Sequence, residues 1–182
     1  MFRKVIVASA LFFFSLSLAS AQEAKLLHAD KILTAAYKEA KSSQKNVFLI
    51  FHASWCSWCR KLEKAIQSEE LKKIFEENFV ITHLDVLERG DKIAALENPG
   101  GKEIMEKLGG EKSGLPFYVW INTKGEKLAN SNVMPGNSNI GYPGSPEEIE
   151  AFGKLLKSSS KHLTDKQLET VLDYLKRNAP KP

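Results

Sequence analysis

The chain has 182 residues, of which 43% are hydrophobic and 26% charged, with a formal net charge of +4. That is the composition of an ordinary globular protein near the size of one domain, so one compact core is expected. Lysines and glutamates interleave along most segments, which leaves nucleic-acid binding without support.

Arg3 and Lys4 precede an apolar run, Val5 to Leu18, that is too short to span a bilayer comfortably and ends in Ala19-Ser20-Ala21. Residues 1–21 are expected to be a secretory signal peptide cleaved before Gln22. An uncleaved N-terminal membrane anchor is the alternative, disfavoured by the small residues of the Ala-x-Ala ending. A lipoprotein would need a cysteine at that point, and none is there. Cleavage takes two positive charges away, leaving residues 22–182 weakly basic, with no stable membrane insertion. The expected location is periplasmic or secreted, where structural disulfides can persist.

Apolar residues Ile32, Leu33, Ala36, Tyr37 and Ala40 recur at helical spacing, so a helix is predicted over Asp30 to Lys41 with Asp30 as its cap. Val47 to Phe51 is a continuous apolar run of β-formers, which suits a strand covered on both faces in a partly parallel sheet. Directly after it comes Trp55-Cys56-Ser57-Trp58-Cys59. Arg60 to Ile66 continues as a helix, Ser68 opens another that runs to about Asn78, and Phe79 to Val86 reads as a second parallel strand. Leu87 to Ser113 is polar and glycine-rich, with a short helix predicted from Lys102 to Leu108. Its glycine pairs lack the spacing of a phosphate-binding loop and read as turns and helix ends.

Phe117 to Ile121 is strongly β-prone, and Asn122 to Gly125 turns it into a short strand near Lys127 to Ala129. Met134 to Ser145 is read as a long loop. Ser145, Pro146 and Glu148 then give a capping box for a helix carrying Ile149, Phe152, Leu155 and Leu156 on one face. A second capping box, Thr164 to Gln167, opens a helix whose stripe is Leu168, Val171, Leu172 and Leu175.

Both cysteines of the chain lie in the one motif, two residues apart. That arrangement reads as a dithiol that cycles. On the first turn of a helix, unpaired amides and the helix dipole stabilise a thiolate on Cys56, the nucleophile of thiol–disulfide exchange, with Cys59 as the resolving thiol. A structural disulfide is the plain alternative. Haem attachment needs a histidine after the second cysteine, and Arg60 stands there. A zinc or copper site would have the two thiolates plus His52 and His83 to draw on, with Cu(I) the better match to soft ligands. Trp55 and Trp58 flank the thiols and are candidates for an apolar rim that receives substrate and shields Cys59. His28 and His162 are expected to be solvated, and Asp85 to be a turn or capping residue.

Phe48-Leu49-Ile50-Phe51-His52-Ala53-Ser54-Trp55-Cys56-Ser57-Trp58-Cys59 resembles the strand, active-site loop and helix start of the thioredoxin superfamily, and Leu115-Pro116-Phe117 resembles its second signature. The stretch from Lys61 through Ser68-Glu69-Glu70-Leu71 to Val80 is similar to exported thioredoxin-like proteins of the thioredoxin-like 7 type. The resemblance covers about residues 30–157, with 158–182 as a helical extension. It implies an α/β thioredoxin fold, a central mixed sheet flanked by helices, with an extra C-terminal helix.

The resemblance also implies a cis bond between Leu115 and Pro116, with the backbone of Leu115 pairing with a substrate chain. The implied activity is that of an exported thiol–disulfide oxidoreductase, most simply reducing protein or peptide disulfides. It would need no metal or cofactor beyond the Cys56–Cys59 pair, and a membrane-bound reductant donor is a candidate partner. A peptide-binding or chaperone-like module with a permanent disulfide, and a Cu(I)-handling protein, are the alternatives. The sequence departs from the family in three places. Ile50 stands where thioredoxin proper has a buried carboxylate, His52 replaces an aromatic residue, and Lys64 replaces a helix-kinking proline. His52 is a candidate modulator, because a nearby imidazolium would stabilise the Cys56 thiolate.

Overall fold

The computed structural model describes residues 26–180, so the expected signal peptide at 1–21 lies outside the described residues. Helix α1 (Ala29–Ser43) leads into strand β1 (Asn46–His52), followed by α2 (Ser57–Ile66), α3 (Lys72–Asn78) and β2 (Phe79–Asp85). Two short helices, α4 (Lys92–Leu96) and α5 (Gly101–Met105), precede β3 (Phe117–Ile121) and β4 (Lys127–Asn130). A small pair, β5 (Asn132–Met134) and β6 (Ser138–Asn139), precedes α6 (Pro146–Ser159) and α7 (Asp165–Arg177).

The main sheet has the order β2-β1-β3-β4. β1 is parallel to β2 and antiparallel to β3, as its continuous apolar run requires of a central strand. Alternation sends Phe48 and Ile50 to one face, where α2, α3, α6 and α7 cover them, and Val47, Leu49 and Phe51 to the other, under α1 and α5. This is the helix-flanked mixed sheet expected of the thioredoxin fold. The last helix is built into it: Val171 and Leu175 of α7 belong to the same buried cluster as Phe48 and Trp120. α6 and α7 come close enough at Gly153 that a Cβ there would sit 2.8 Å from Leu172 Cδ2.

Both capping boxes form as read: Ser145 with Glu148, and Thr164 with Gln167. Other boundaries move for identifiable reasons. α1 is capped by His28, whose Nδ1 accepts the Asp30 N–H at 3.3 Å, so Asp30 sits inside the first turn beside the positive end of the dipole. His28 is therefore more than a solvated residue. Ser68 closes a turn, accepting the Lys72 N–H at 2.9 Å, and α3 begins only at Lys72. The helix expected over Lys102 to Leu108 starts one residue earlier and loses α geometry after Met105, where the backbone opens into a wide turn with Gly109 at φ +97°. A Cβ on Gly110 would meet both Met105 and Phe117 at 2.7 Å, so this close approach needs glycine. The loop read from Met134 to Ser145 carries part of the β5–β6 pair.

Candidate active site

β1 ends at His52, and the chain turns through Ala53, Ser54 and Trp55 to place Cys56 at the N-cap of α2. Cys56 has extended φ and ψ of −80° and 106°, and its sulfur accepts the Cys59 N–H at 3.1 Å. A free amide of the first helical turn is thus aimed at the sulfur. After reduction the same amide and the dipole would favour the Cys56 thiolate. The two cysteines are joined as a disulfide with their Cα atoms 5.3 Å apart. Both are buried, with Cys56 3% and Cys59 5% exposed, and they cluster with Ala53 and Leu115.

Leu115 and Pro116 are joined by a cis peptide bond directly before β3. Asn139 holds this loop from across the β5–β6 pair: its side-chain amide donates to the carbonyls of Gly114 at 2.8 Å and Pro116 at 2.9 Å. The loop on the other side is clamped by Glu88, a carboxylate only 5% exposed. Glu88 accepts the Ser54 N–H and, at 2.8 Å, the Ser54 hydroxyl, while Arg60 Nη1 donates to the Ser54 carbonyl at 2.8 Å. These contacts fix the turn that delivers Cys56. Neither Asn139 nor Glu88 is legible from its own segment, because each acts on a loop far away in the chain.

The two tryptophans do different things. Trp55 Nε1 donates to the Leu87 carbonyl at 2.8 Å, and the Arg89 guanidinium lies 3.9 Å over its ring, so Trp55 is pinned to the loop after β2. Trp58 stacks on Tyr142 with ring centroids 6.0 Å apart, and with Leu115, Ile140 and Tyr142 it lines a cavity of about 530 Å³. The structure therefore brings Trp58 and Leu115 to one groove, and Trp55 does not line it. Trp55 and Trp58 remain 39% and 47% exposed.

His52 is not placed against Cys56 by any hydrogen bond. It lines a second cavity, of about 620 Å³, together with Ile50, Cys59, Arg60, Glu63, Lys64, Gln67 and His83. Burial holds the imidazole below its ordinary pKa, against the opposing pull of the Asp85 carboxylate 3.3 Å away. Its ring shares that cavity with Cys59. Asp85 is also more than a turn residue, since burial raises its own pKa and His52 partly offsets that. His83, whose functional role the sequence left open, donates to Glu63 at 2.8 Å. Among the described residues, no group of three or more His, Cys, Asp or Glu side chains could hold a metal ion.

A strand, a Cys-x-x-Cys pair at the following helix start and a facing cis-proline loop on a mixed sheet define a disulfide oxidoreductase fold of the thioredoxin-like class. A family model described as thioredoxin-like matches residues 29–122, and the chain belongs to that family. It is 39% identical to an uncharacterised Caenorhabditis elegans protein over 137 residues, 75% of this chain and 18% of that one. It is 37% identical to mouse spermatogenesis-associated protein 20 over 113 residues, 59% of this chain and 13% of that one. The chain thus spans less than a fifth of the length of these curated relatives. Among solved structures, a disulphide isomerase from Xylella fastidiosa is similar at 22% identity and a TM-score of 0.46, covering 66% of this chain and 80% of that one.

Proposed function

We propose that this protein is an exported thiol–disulfide oxidoreductase that reduces disulfides in protein or peptide substrates. The observation that carries the reading is the Cys56–Cys59 pair at the N-cap of α2, facing Leu115 and the cis-proline. In the reduced protein, the Cys56 thiolate attacks a substrate sulfur and forms a mixed disulfide. Cys59 then attacks Cys56, releases the substrate thiol and closes the pair. Substrate is received along Leu115 and Pro116, with Trp58 and Tyr142 as the apolar wall and Trp55 as an outer contact. No cofactor beyond the pair takes part, and a membrane-bound donor of reducing equivalents is the partner that would reopen it. The leader read at residues 1–21 supports a periplasmic or secreted location. No helix of the described residues is long and apolar enough to cross a membrane.

A second reading, a peptide-binding module with a permanent disulfide, is favoured by the burial of both sulfurs next to the Trp58 groove. Replacing the resolving thiol separates the two. The Cys59→Ser variant is expected to accumulate a mixed disulfide between Cys56 and a disulfide-bonded peptide, seen as a mass adduct that dithiothreitol removes. Peptide that associates without any covalent adduct would support the binding module and sink the oxidoreductase.

A further inference from the structure

Cys59 has a problem that the closed disulfide hides. To attack Cys56 it must lose a proton, yet it is 5% exposed, and burial of this kind disfavours a thiolate. The interior position beside it on β1 is Ile50, which can take no proton. The same cavity holds two imidazoles, His52 and His83, with ring centroids 5.2 Å apart. Each is tied to one carboxylate, His83 to Glu63 of α2 at 2.8 Å and His52 to Asp85 of β2 at 3.3 Å. The parallel register, Ile50 beside His83 and His52 beside Asp85, is what gathers them.

We propose that the His52–His83 pair is the proton acceptor for Cys59, with Glu63 and Asp85 as positioning residues that orient the rings. This rests on the oxidoreductase reading. The Cys59 thiol gives its proton to an imidazole nitrogen, and the resulting thiolate attacks the Cys56 sulfur of the mixed disulfide. The bond from Cys56 to the substrate sulfur breaks, and the substrate leaves as a thiolate that takes a proton from solvent. The cysteine pair is oxidised by two electrons and the substrate disulfide is reduced by two. The imidazolium returns its proton to solvent, which reaches both rings, since their side chains are 31% and 30% exposed.

The electrostatics agree with this assignment. Burial favours the neutral, proton-accepting form of His52, and the hydrogen bond from His83 holds Glu63 below the usual carboxylate range. The other charged groups around the rings are Arg60 and Lys64 on α2 and Glu88 on the loop after β2.

The test is a pH jump on the mixed disulfide, prepared at acid pH from the reduced full chain and a disulfide-bonded peptide, with release of the peptide thiol as readout. Parental protein is expected to release quickly at pH 7 and to slow only in more acid solution, as His52 takes up a proton. The His52→Asn, His83→Asn double variant is expected to release on the order of 10²-fold more slowly at pH 7. Its rate should now climb with pH into the thiol range, a shift that a merely structural role would not produce, and added imidazole should restore part of it. The Cys56 attack step, measured in a Cys59→Ser background, should be the same with and without the two substitutions. Release at the parental rate with the parental pH profile would overturn the proposal and leave the oxidoreductase standing. Failure to form any mixed disulfide would overturn both.

Discussion

Cys56→Ala is expected to lower catalysed disulfide reduction by at least about 10³-fold, to the level of uncatalysed exchange, while leaving the chain folded. The first half follows from chemistry: Cys56 carries the sulfur that meets the helix amide of Cys59 and lies beside Leu115, and the chain has no other thiol that could replace it at the helix start. The second half follows from magnitude. The disulfide closes a loop of only a few residues, so its constraint on the unfolded chain is worth about 2 kcal/mol. A domain of this kind has roughly 5–15 kcal/mol in hand. Reduction of an insulin-type disulfide, followed beside a far-ultraviolet spectrum of the variant, checks both halves. Retained activity in a folded Cys56→Ala protein would end the nucleophile assignment.

The largest loss of stability is expected at Phe48→Ala. Phe48 is fully buried at the middle of the central strand, stacked on Trp120 with centroids 4.7 Å apart and planes 3° from parallel. Phe75, Phe79 and Tyr118 surround the same ring at 6.1, 5.9 and 5.6 Å. A close-packed core relaxes only partly into such a void, so the substitution should cost about 3–5 kcal/mol. In urea the midpoint should fall with little change in slope, and the melting temperature should drop by roughly 2–4 °C per kcal/mol. Phe48→Leu, which keeps most of the volume, should cost much less. A midpoint unchanged by Phe48→Ala would mean that this aromatic cluster does not hold α3 and the sheet together.

How legible each feature was depended on how local its cause is. The two C-terminal helices could be read because Ser145 with Glu148 and Thr164 with Gln167 carry their own start signals within four residues. β1 could be read because five consecutive apolar residues need cover on both faces, and α1 and α2 supply it. The start of α1 was misplaced because a histidine cap is an uncommon substitute for the aspartate two residues on. β5 and β6 were invisible because two or three residues carry no period, and their pairing comes with Asn139 reaching back to Gly114 and Pro116.

At the site, the cysteine pair and the proline were legible because family signatures are contiguous. Glu88 was hidden in a stretch that composition alone marks as turn and loop. The Glu63–His83 and His52–Asp85 contacts depend on strand register and on the face α2 presents, and neither is written in any one segment. His52 stands out by its residue type, and only the fold shows that it lines one cavity with Cys59 and His83.

The most direct measurement is a count of free thiols on Cys56 and Cys59 during a single turnover. Reduced protein is mixed with a disulfide-bonded peptide, quenched in acid at successive times, alkylated and mapped by mass. Each protein molecule should lose both thiols as the peptide gains two, passing through a species in which the peptide is joined to Cys56 and Cys59 is still free. Peptide thiols appearing while Cys56 and Cys59 keep both of theirs, or an intermediate joined through Cys59, would contradict the cycle.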